Sequence, residues 1–256
     1  MNQSDNSAHV AFVTGGAMGI GASICQQLAA KGYTVLVADI NLEAAAKTAD
    51  ALVASGHQAA PVQVDLGNPE SIRQAFAAVE KDYGRCDVLV NNAGIAKMAP
   101  FLDFPLENWL QTMSINVTGV LVAGQCAARL MLKNKWGRIV NISSISGIRA
   151  GAGRTAYGAS KSAVIGLTRQ MSIELAVHGI TVNSVAPGPV DTPMTEVAHS
   201  EETRQSYHRL VPMRRYGSTN EIAAAVTFLT SDEASYITGH VIPVDGGFVA
   251  AGVLDI

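Results

Sequence analysis

Short apolar runs rich in Val and Ile alternate with longer Ala-rich stretches along nearly the whole chain. VAFVT precedes GIGASICQQLAAKG, YTVLVAD precedes LEAAAKTADALVASG, AAPVQVD precedes PESIRQAFAAVEKDYG, and DVLVNNAG precedes a helical stretch from Leu106 to Leu132. The rhythm continues through GRIVNISS, a helix holding Tyr157, then GITVNSVAPG, a helical stretch over 219–230, and HVIPVDGG. Strands that are apolar without alternation fit a parallel sheet covered on both faces, and the intervening helices supply the covers. The pattern predicts an α/β fold: a doubly wound, Rossmann-like parallel sheet in one domain over 1–256, with no Pro/Ser-rich linker to divide it. One segment breaks the rhythm. Residues 193–215, PMTEVAHSEETRQSYHRLVPMRR, are polar and follow a strand end directly, which reads as a substrate lid.

The formal net charge is −3 and no basic run occurs, which argues against nucleic acid as a partner. The first residues, MNQSDNSAH, lack the charged and apolar regions of a signal peptide, and no unbroken apolar stretch approaches 18 residues. A cytoplasmic protein without a membrane anchor is expected. Cys25, Cys86 and Cys126 are widely spaced and the six His are scattered, so buried thiols are expected and no metal site is proposed.

Between the first strand and first helix lies VTGGAMGIGAS, with Gly15, Gly19 and Gly21. Glycine permits positive φ and close approach of a ligand to the backbone, and a helix N-terminus offers free N–H groups to phosphate. The spacing G-x-x-x-G-x-G differs from the commonest dinucleotide fingerprint, and no GK[ST] follows to make a triphosphate loop. Asp39 ends the second strand, eighteen residues after Gly21. An acid there accepts from ribose hydroxyls and repels a 2′-phosphate, which favours NAD over NADP; uncharged Met18 and Ile40 agree. Asp39 also suits a helix cap, a role for which Asn41 competes.

In AYGASKSAV, Tyr157 and Lys161 stand four residues apart on a helical stretch. A neighbouring ammonium lowers a phenol's pKa, which would make Tyr157 a base. A half-buried Tyr beside a Lys that reaches solvent satisfies the same spacing.

The glycine turn, NNAG at 91–94, Ser143 and Ser144, YGASK at 157–161 and PGPVDT at 187–192, in this order, resemble the short-chain dehydrogenase/reductase family, in its shorter single-domain class. The likeness runs from about Val10 to Phe248. It implies that Tyr157 is the catalytic acid/base, that Lys161 lowers its pKa and binds the nicotinamide ribose, and that Ser144, with Ser143 as its neighbour, bonds the substrate oxygen. Asn116 in MSINVTGV would hold a water linking Lys161 to solvent, or is an ordinary polar residue of a buried helix. NAD would be bound by Gly15, Met18, Gly19, Ile20, Gly21, Asp39, Ile40, Asp65, Leu66, Asn91, Ala93, Gly94, Tyr157, Lys161, Pro187, Gly188, Val190 and Thr192.

The resemblance implies an oxidoreductase interconverting a secondary alcohol and a ketone, with small polyols, hydroxy acids and cyclic alcohols undivided as substrates. Reduction of 3-oxoacyl groups on a carrier protein or CoA is the alternative; such reductases usually prefer NADPH and carry a basic residue where this chain has Met18. A catalytically silent NAD sensor is a further one. Ala96, Ile145, Arg149 and Arg154 are the candidate substrate residues, the two arginines either receiving an anionic group or facing solvent; His199, Tyr207 and His208 line the pocket or face water. Family habit implies a homotetramer.

Overall fold

Every apolar run becomes a strand: β1 (Val10–Thr14), β2 (Thr34–Asp39), β3 (Ala59–Gln63), β4 (Val88–Asn91), β5 (Gly137–Ile142), β6 (Ile180–Pro187) and β7 (Val241–Val244). The computed structural model describes residues 9–252, so the polar segment 1–8 and the last four residues of the apolar tail lie outside the described residues. The strands form one parallel sheet in the order β3-β2-β1-β4-β5-β6-β7. The helices are α1 (Gly19–Ala30), α2 (Leu42–Ala54), α3 (Pro69–Tyr83), α4 (Leu106–Met113), α5 (Gly119–Asn134), α6 (Thr155–Leu175), α7 (Pro193–Ala198), α8 (Glu201–Leu210) and α9 (Thr219–Leu229).

Successive β1 side chains enter opposite cores, because Cβ direction alternates along a strand. Ala11 and Val13 pack with Ile24 and Leu28 of α1, Ala45 of α2 and Val226 of α9. Phe12 and Leu36 pack on the other side with Ile72 and Phe76 of α3 and Met131 of α5, and the Phe12 and Phe76 rings stack at 4.6 Å. Burying side chains of this size contributes about 1.5–3 kcal/mol each. Both faces are covered, so the strands need no polar side.

Chain order reverses at β1, with β2 and β3 to one side and β4 to β7 to the other. A doubly wound sheet opens its ligand crevice at the carboxyl ends of the strands where that reversal occurs. Here those ends are Thr14 and Asn91.

One helix differs from the sequence expectation. The helix expected over Leu106–Leu132 is divided by a π turn at Ser114–Thr118, which adds a residue to the turn around Asn116. By length and composition alone the run Leu106–Asn134 suffices to cross a bilayer; Val122, Ala123, Ala127, Leu130 and Met131 are instead buried in the protein core. The polar segment after β6 folds as α7 and α8, with Thr192 and Thr195 forming a reciprocal cap on α7 and Ser200 capping α8.

Candidate active site

The glycine turn is held from β4. The Thr14 hydroxyl donates to the Val90 carbonyl at 3.3 Å and accepts the N–H groups of Asn92 and Ala93 at 3.0 and 3.1 Å. The Asn92 amide donates to the carbonyls of Thr14 and Gly15, both at 3.0 Å. Gly15 turns with φ +61°, and a Cβ on Gly21 would overlap the Gly15 carbonyl oxygen, so the chain can pass here only without side chains. The residue preceding α1, Met18, contributes no side-chain cap, which leaves the first-turn N–H groups of Gly19, Ile20 and Gly21 without a side-chain acceptor. A close backbone cradle with undirected donors at a helix N-terminus fits a dinucleotide pyrophosphate. Asn92 escaped the sequence reading as an individual residue, although the NNAG motif contained it.

Asp39 stands beside this cradle, its carboxylate accepting from Asn41 N at 3.1 Å and from Ala17 N at 3.4 Å. Asn41 caps α2 by accepting from Ala44 N, so the capping role belongs to Asn41 and not to Asp39. Met18 and Ile40 are 56% and 64% exposed. No cation stands at either position. Asp65 accepts from Gly67 N at 2.8 Å, and Leu66 is buried; Ile40 and Asp65 lie at one end of an open groove of about 620 Å³ between β3 and α3.

Asn91 ends β4 at the crevice, but its side chain turns away from it. Its amide lies within the sheet, donating to Asn141 at 2.8 Å, and Asn141 donates in turn to Thr168 of α6. Residues pointing to alternate faces explain this: Asn91 shares the side of Leu89, below the crevice. Gly94 does reach the site, since a Cβ there would stand 3.2 Å from Asn116 Oδ1 and 3.4 Å from Lys161 Nζ.

Tyr157 and Lys161 lie on one face of α6, as the spacing predicts, with the Lys161 ammonium 5.7 Å from the centre of the Tyr157 ring. Lys161 is buried and donates to the Ile142 carbonyl at 2.8 Å, and burial lowers its pKa to about 8. The expectation that Lys161 draws the phenol down is not met in this arrangement. Burial raises the Tyr157 pKa, while a hydrogen bond with Ser144 and the charge of Arg154 lower it in part. The ammonium is turned to the end of β5 and the phenol to Ser144. Ser143, by contrast, donates to the Val185 carbonyl and accepts from Ser184, so it belongs to the sheet. The two serines point to opposite sides, which separates them cleanly.

Asn116 is buried in the π turn. Its Oδ1 accepts from Ile95 N, and its Nδ2 donates to the Ile95 carbonyl and to Ser160 Oγ. The side chain thus pins the loop after β4 to α6; both its N–H donors are used, and Oδ1 keeps one lone pair.

Of the residues from β6 onward, Pro187 ends the strand and Gly188 is pressed against Asp245, where a Cβ would stand 2.7 Å from the Asp245 Cα. Val190 is buried and bridges Gly217. Thr192 and Pro193 overhang Gly19, with 3.8 Å between them and a Cβ placed there. Ile145 is buried beside Ser144, and Ala96 is half-buried in the loop after β4. Arg149 is committed elsewhere: it donates to the Phe248 carbonyl at 2.8 Å and lies over that ring. Arg154 is inside the site, donating to Ser146 Oγ at 2.9 Å and facing His199 Nε2 at 3.3 Å. Around it, His199 stacks on Tyr207 and its Nδ1 meets the Tyr216 hydroxyl at 2.9 Å. Tyr216 gave no local sequence signal; only tertiary folding brings α8 and the loop before α9 together.

The family described as enoyl-(acyl carrier protein) reductase matches residues 15–249. A 3-oxoacyl-[acyl-carrier-protein] reductase of Aquifex aeolicus is 41% identical over 239 residues, covering 93% of this chain and 96% of its own. One from Synechocystis is 41% identical over 248 residues, covering 95% of this chain and 98% of its own. Among solved structures, a gluconate 5-dehydrogenase from Burkholderia cenocepacia in complex with NADP and tartrate superposes with a TM-score of 0.92 at 32% identity, over 95% of this chain and 96% of that one.

Proposed function

From the premise that the chain belongs to the short-chain dehydrogenase/reductase family and is an oxidoreductase of it, we propose that it interconverts a secondary alcohol and a ketone with a nicotinamide cofactor. The observation that carries this reading is the convergence of Ser144 and Tyr157 above a buried Lys161, next to a side-chain-free cradle at the α1 N-terminus. When bound, nicotinamide supplies the hydride acceptor for oxidation or the hydride donor for reduction. Gly15, Gly19 and Gly21 would receive the pyrophosphate, Asp39 the adenosine ribose, and Lys161 the nicotinamide ribose.

The chain's own residues manage the proton and the orientation. In reduction, the Tyr157 phenol gives its proton to the ketone oxygen, and Ser144 donates a hydrogen bond to that same oxygen. In oxidation, the ionised phenol takes the hydroxyl proton. Burial keeps the phenol protonated near neutrality, which suits reduction, so oxidation gains as the pH rises. Buried Lys161 places a positive charge under the site up to about pH 8.

For the substrate, the curated relatives favour the 3-oxoacyl group, the alternative in the sequence analysis, over the undivided small polyols, hydroxy acids and cyclic alcohols of its main reading. The gluconate 5-dehydrogenase supports a hydroxy acid as a second reading. For the cofactor, the NADP of that same neighbour points one way and Asp39 the other; the carboxylate is on this chain, and we assign NAD. Segment 193–215 acts as the lid over the substrate. The test is nicotinamide absorbance against a panel of ketones, hydroxy acids and 3-oxoacyl thioesters, with Tyr157→Phe as control. Turnover by the wild type that falls by about 10³-fold in the variant, with nicotinamide binding intact, is the expected result; a variant retaining most of its activity refutes the role of Tyr157.

A further inference from the structure

Arg154 is the residue preceding α6, three positions before Tyr157, and its guanidinium is held by neutral groups alone. Ser146 Oγ accepts from one end. Ser146 N in turn donates to the Ser144 hydroxyl at 3.1 Å, so the guanidinium is tied directly to the turn that carries the proposed oxygen-binding serine. At the other end stands His199 Nε2. A guanidinium has no acceptor, so Nε2 must be the lone-pair nitrogen and the ring proton sits on Nδ1, directed at the Tyr216 hydroxyl. The Tyr207 ring lies 6.0 Å away on a third side. Among the described residues no carboxylate forms an ion pair with Arg154, whereas Arg204 and Arg215 nearby are paired with Asp191 and Glu221. Its charge works against burial at the Tyr157 phenol, lowering a pKa that burial raises.

A half-buried, uncompensated cation is costly to keep and is relieved by an anion. The rigid fork is also suited to two parallel bonds with a carboxylate. We propose that Arg154 binds a free carboxylate of the substrate, so that the enzyme acts on hydroxy-acid or oxo-acid anions whose carboxylate lies close to the reacting carbon. The assignment rests on the reading above that Tyr157 exchanges the proton with that carbon. It divides the two substrate classes still open, because the acyl group of a thioester is neutral at this point. It also separates the two candidate arginines, since Arg149 is spent on the C-terminal segment.

The experiment titrates the full chain in complex with NADH against lactate and 3-hydroxybutyrate, each beside its methyl ester, in wild type, Arg154→Gln and Arg154→Lys. Nicotinamide binding by each variant reports that it is folded. At least one acid should bind about 30-fold tighter than its ester to the wild type, a preference lost in Arg154→Gln and partly retained in Arg154→Lys. Equal binding of acid and ester, or a preference that survives Arg154→Gln, overturns the assignment. Turnover measured in parallel keeps the two claims apart. Thioesters turned over while both acids bind no better than their esters would leave the dehydrogenase reading standing and remove the carboxylate site. A carboxylate preference without turnover of any acid, ester or thioester would do the reverse.

Discussion

The two sides of the crevice are built by different means. On the cofactor side the decisive groups are backbone: three glycines, the open first turn of α1, and main-chain carbonyls of Thr14 and Gly15 held by the Asn92 amide. On the proposed substrate side they are long side chains from distant segments, with Arg154, His199, Tyr207, Tyr216 and Phe248 meeting over a span of nearly a hundred residues. A wall made of backbone tolerates almost no added atom, whereas a wall of side chains can be rebuilt one residue at a time. That is how one cofactor apparatus can serve many substrates.

The largest expected effect tests the first half of this contrast. Gly21→Ala adds one methyl group where the Gly15 carbonyl and the Asn92 amide already stand. Backbone must move, so we expect a loss of about 3 kcal/mol, or roughly 6–12 °C in melting temperature, and loss of nicotinamide binding. Thermal melting and NADH fluorescence check this. A variant that binds NADH like the wild type would show that the turn yields more easily than its geometry indicates.

Lys161 stands between the two halves and links chemistry to stability. Its folded pKa of about 8 lies below the unfolded value of 10.5, so the native state binds fewer protons than the unfolded chain between these values. Stability of the wild type therefore rises with pH across that window, and the cost of the buried charge is full below pH 8. Lys161→Met should lower turnover by about 10²- to 10⁴-fold. At pH 7 it should also stabilise the fold by up to about 3 kcal/mol, the free-energy equivalent of that displacement. The gain should shrink above pH 8 and vanish by about 10.5. Denaturation followed as a function of pH decides; a variant less stable at pH 7 would mean that the bond to Ile142 outweighs the desolvation.

Asp39 is the side chain to which we assign the NAD preference proposed above. Asp39→Ala combined with Ile40→Arg removes a negative charge and supplies a positive one where a 2′-phosphate would lie. The ratio of kcat/KM for NADP to that for NAD should rise about 100-fold, equivalent to roughly 2.7 kcal/mol. An unchanged ratio would assign the preference to other contacts.

The same contrast explains what could be read from sequence. The glycine turn, Asp39 and the Tyr157–Lys161 pair are local patterns, set by one turn of helix or one strand end, so spacing reveals them. At Asn91 the motif lies at the crevice while the side chain, by strand alternation, bonds within the sheet, a division the motif alone does not show. The π turn at Asn116 arises from a buried amide that reaches Ile95 and Ser160, partners 21 and 44 residues away, and no periodicity encodes that. Arg149 and Arg154 look alike in GIRAGAGRTA; only the distant partners Phe248 and His199 separate them.

The smallest effect bears on the substrate side. His199 faces Arg154 and lies in the field of Arg204, with Tyr207 stacked on it and Tyr216 bonded to it; burial and the two guanidinium charges hold its pKa below 6.5. Because Nε2 must stay a lone-pair nitrogen to accept from Arg154, protonation turns a contact into a repulsion. The unfolded chain takes up this proton first, so the contact's contribution is complete above pH 6.5 and is lost as the pH falls through the lowered folded value. His199→Phe preserves the stacking on Tyr207 and removes the titration. We expect its KM for substrate to rise by no more than about 10-fold, with NADH binding unchanged, in line with the loss of one charge-assisted hydrogen bond. The acid limb should separate the two proteins further, the wild-type KM climbing as the pH falls through the lowered folded value of His199 while that of the variant stays flat over the same range. A variant that also lost NADH would break the contrast, because it would mean that the side-chain wall supports the backbone cradle through Thr192 and Pro193, where the two sides touch at Gly19.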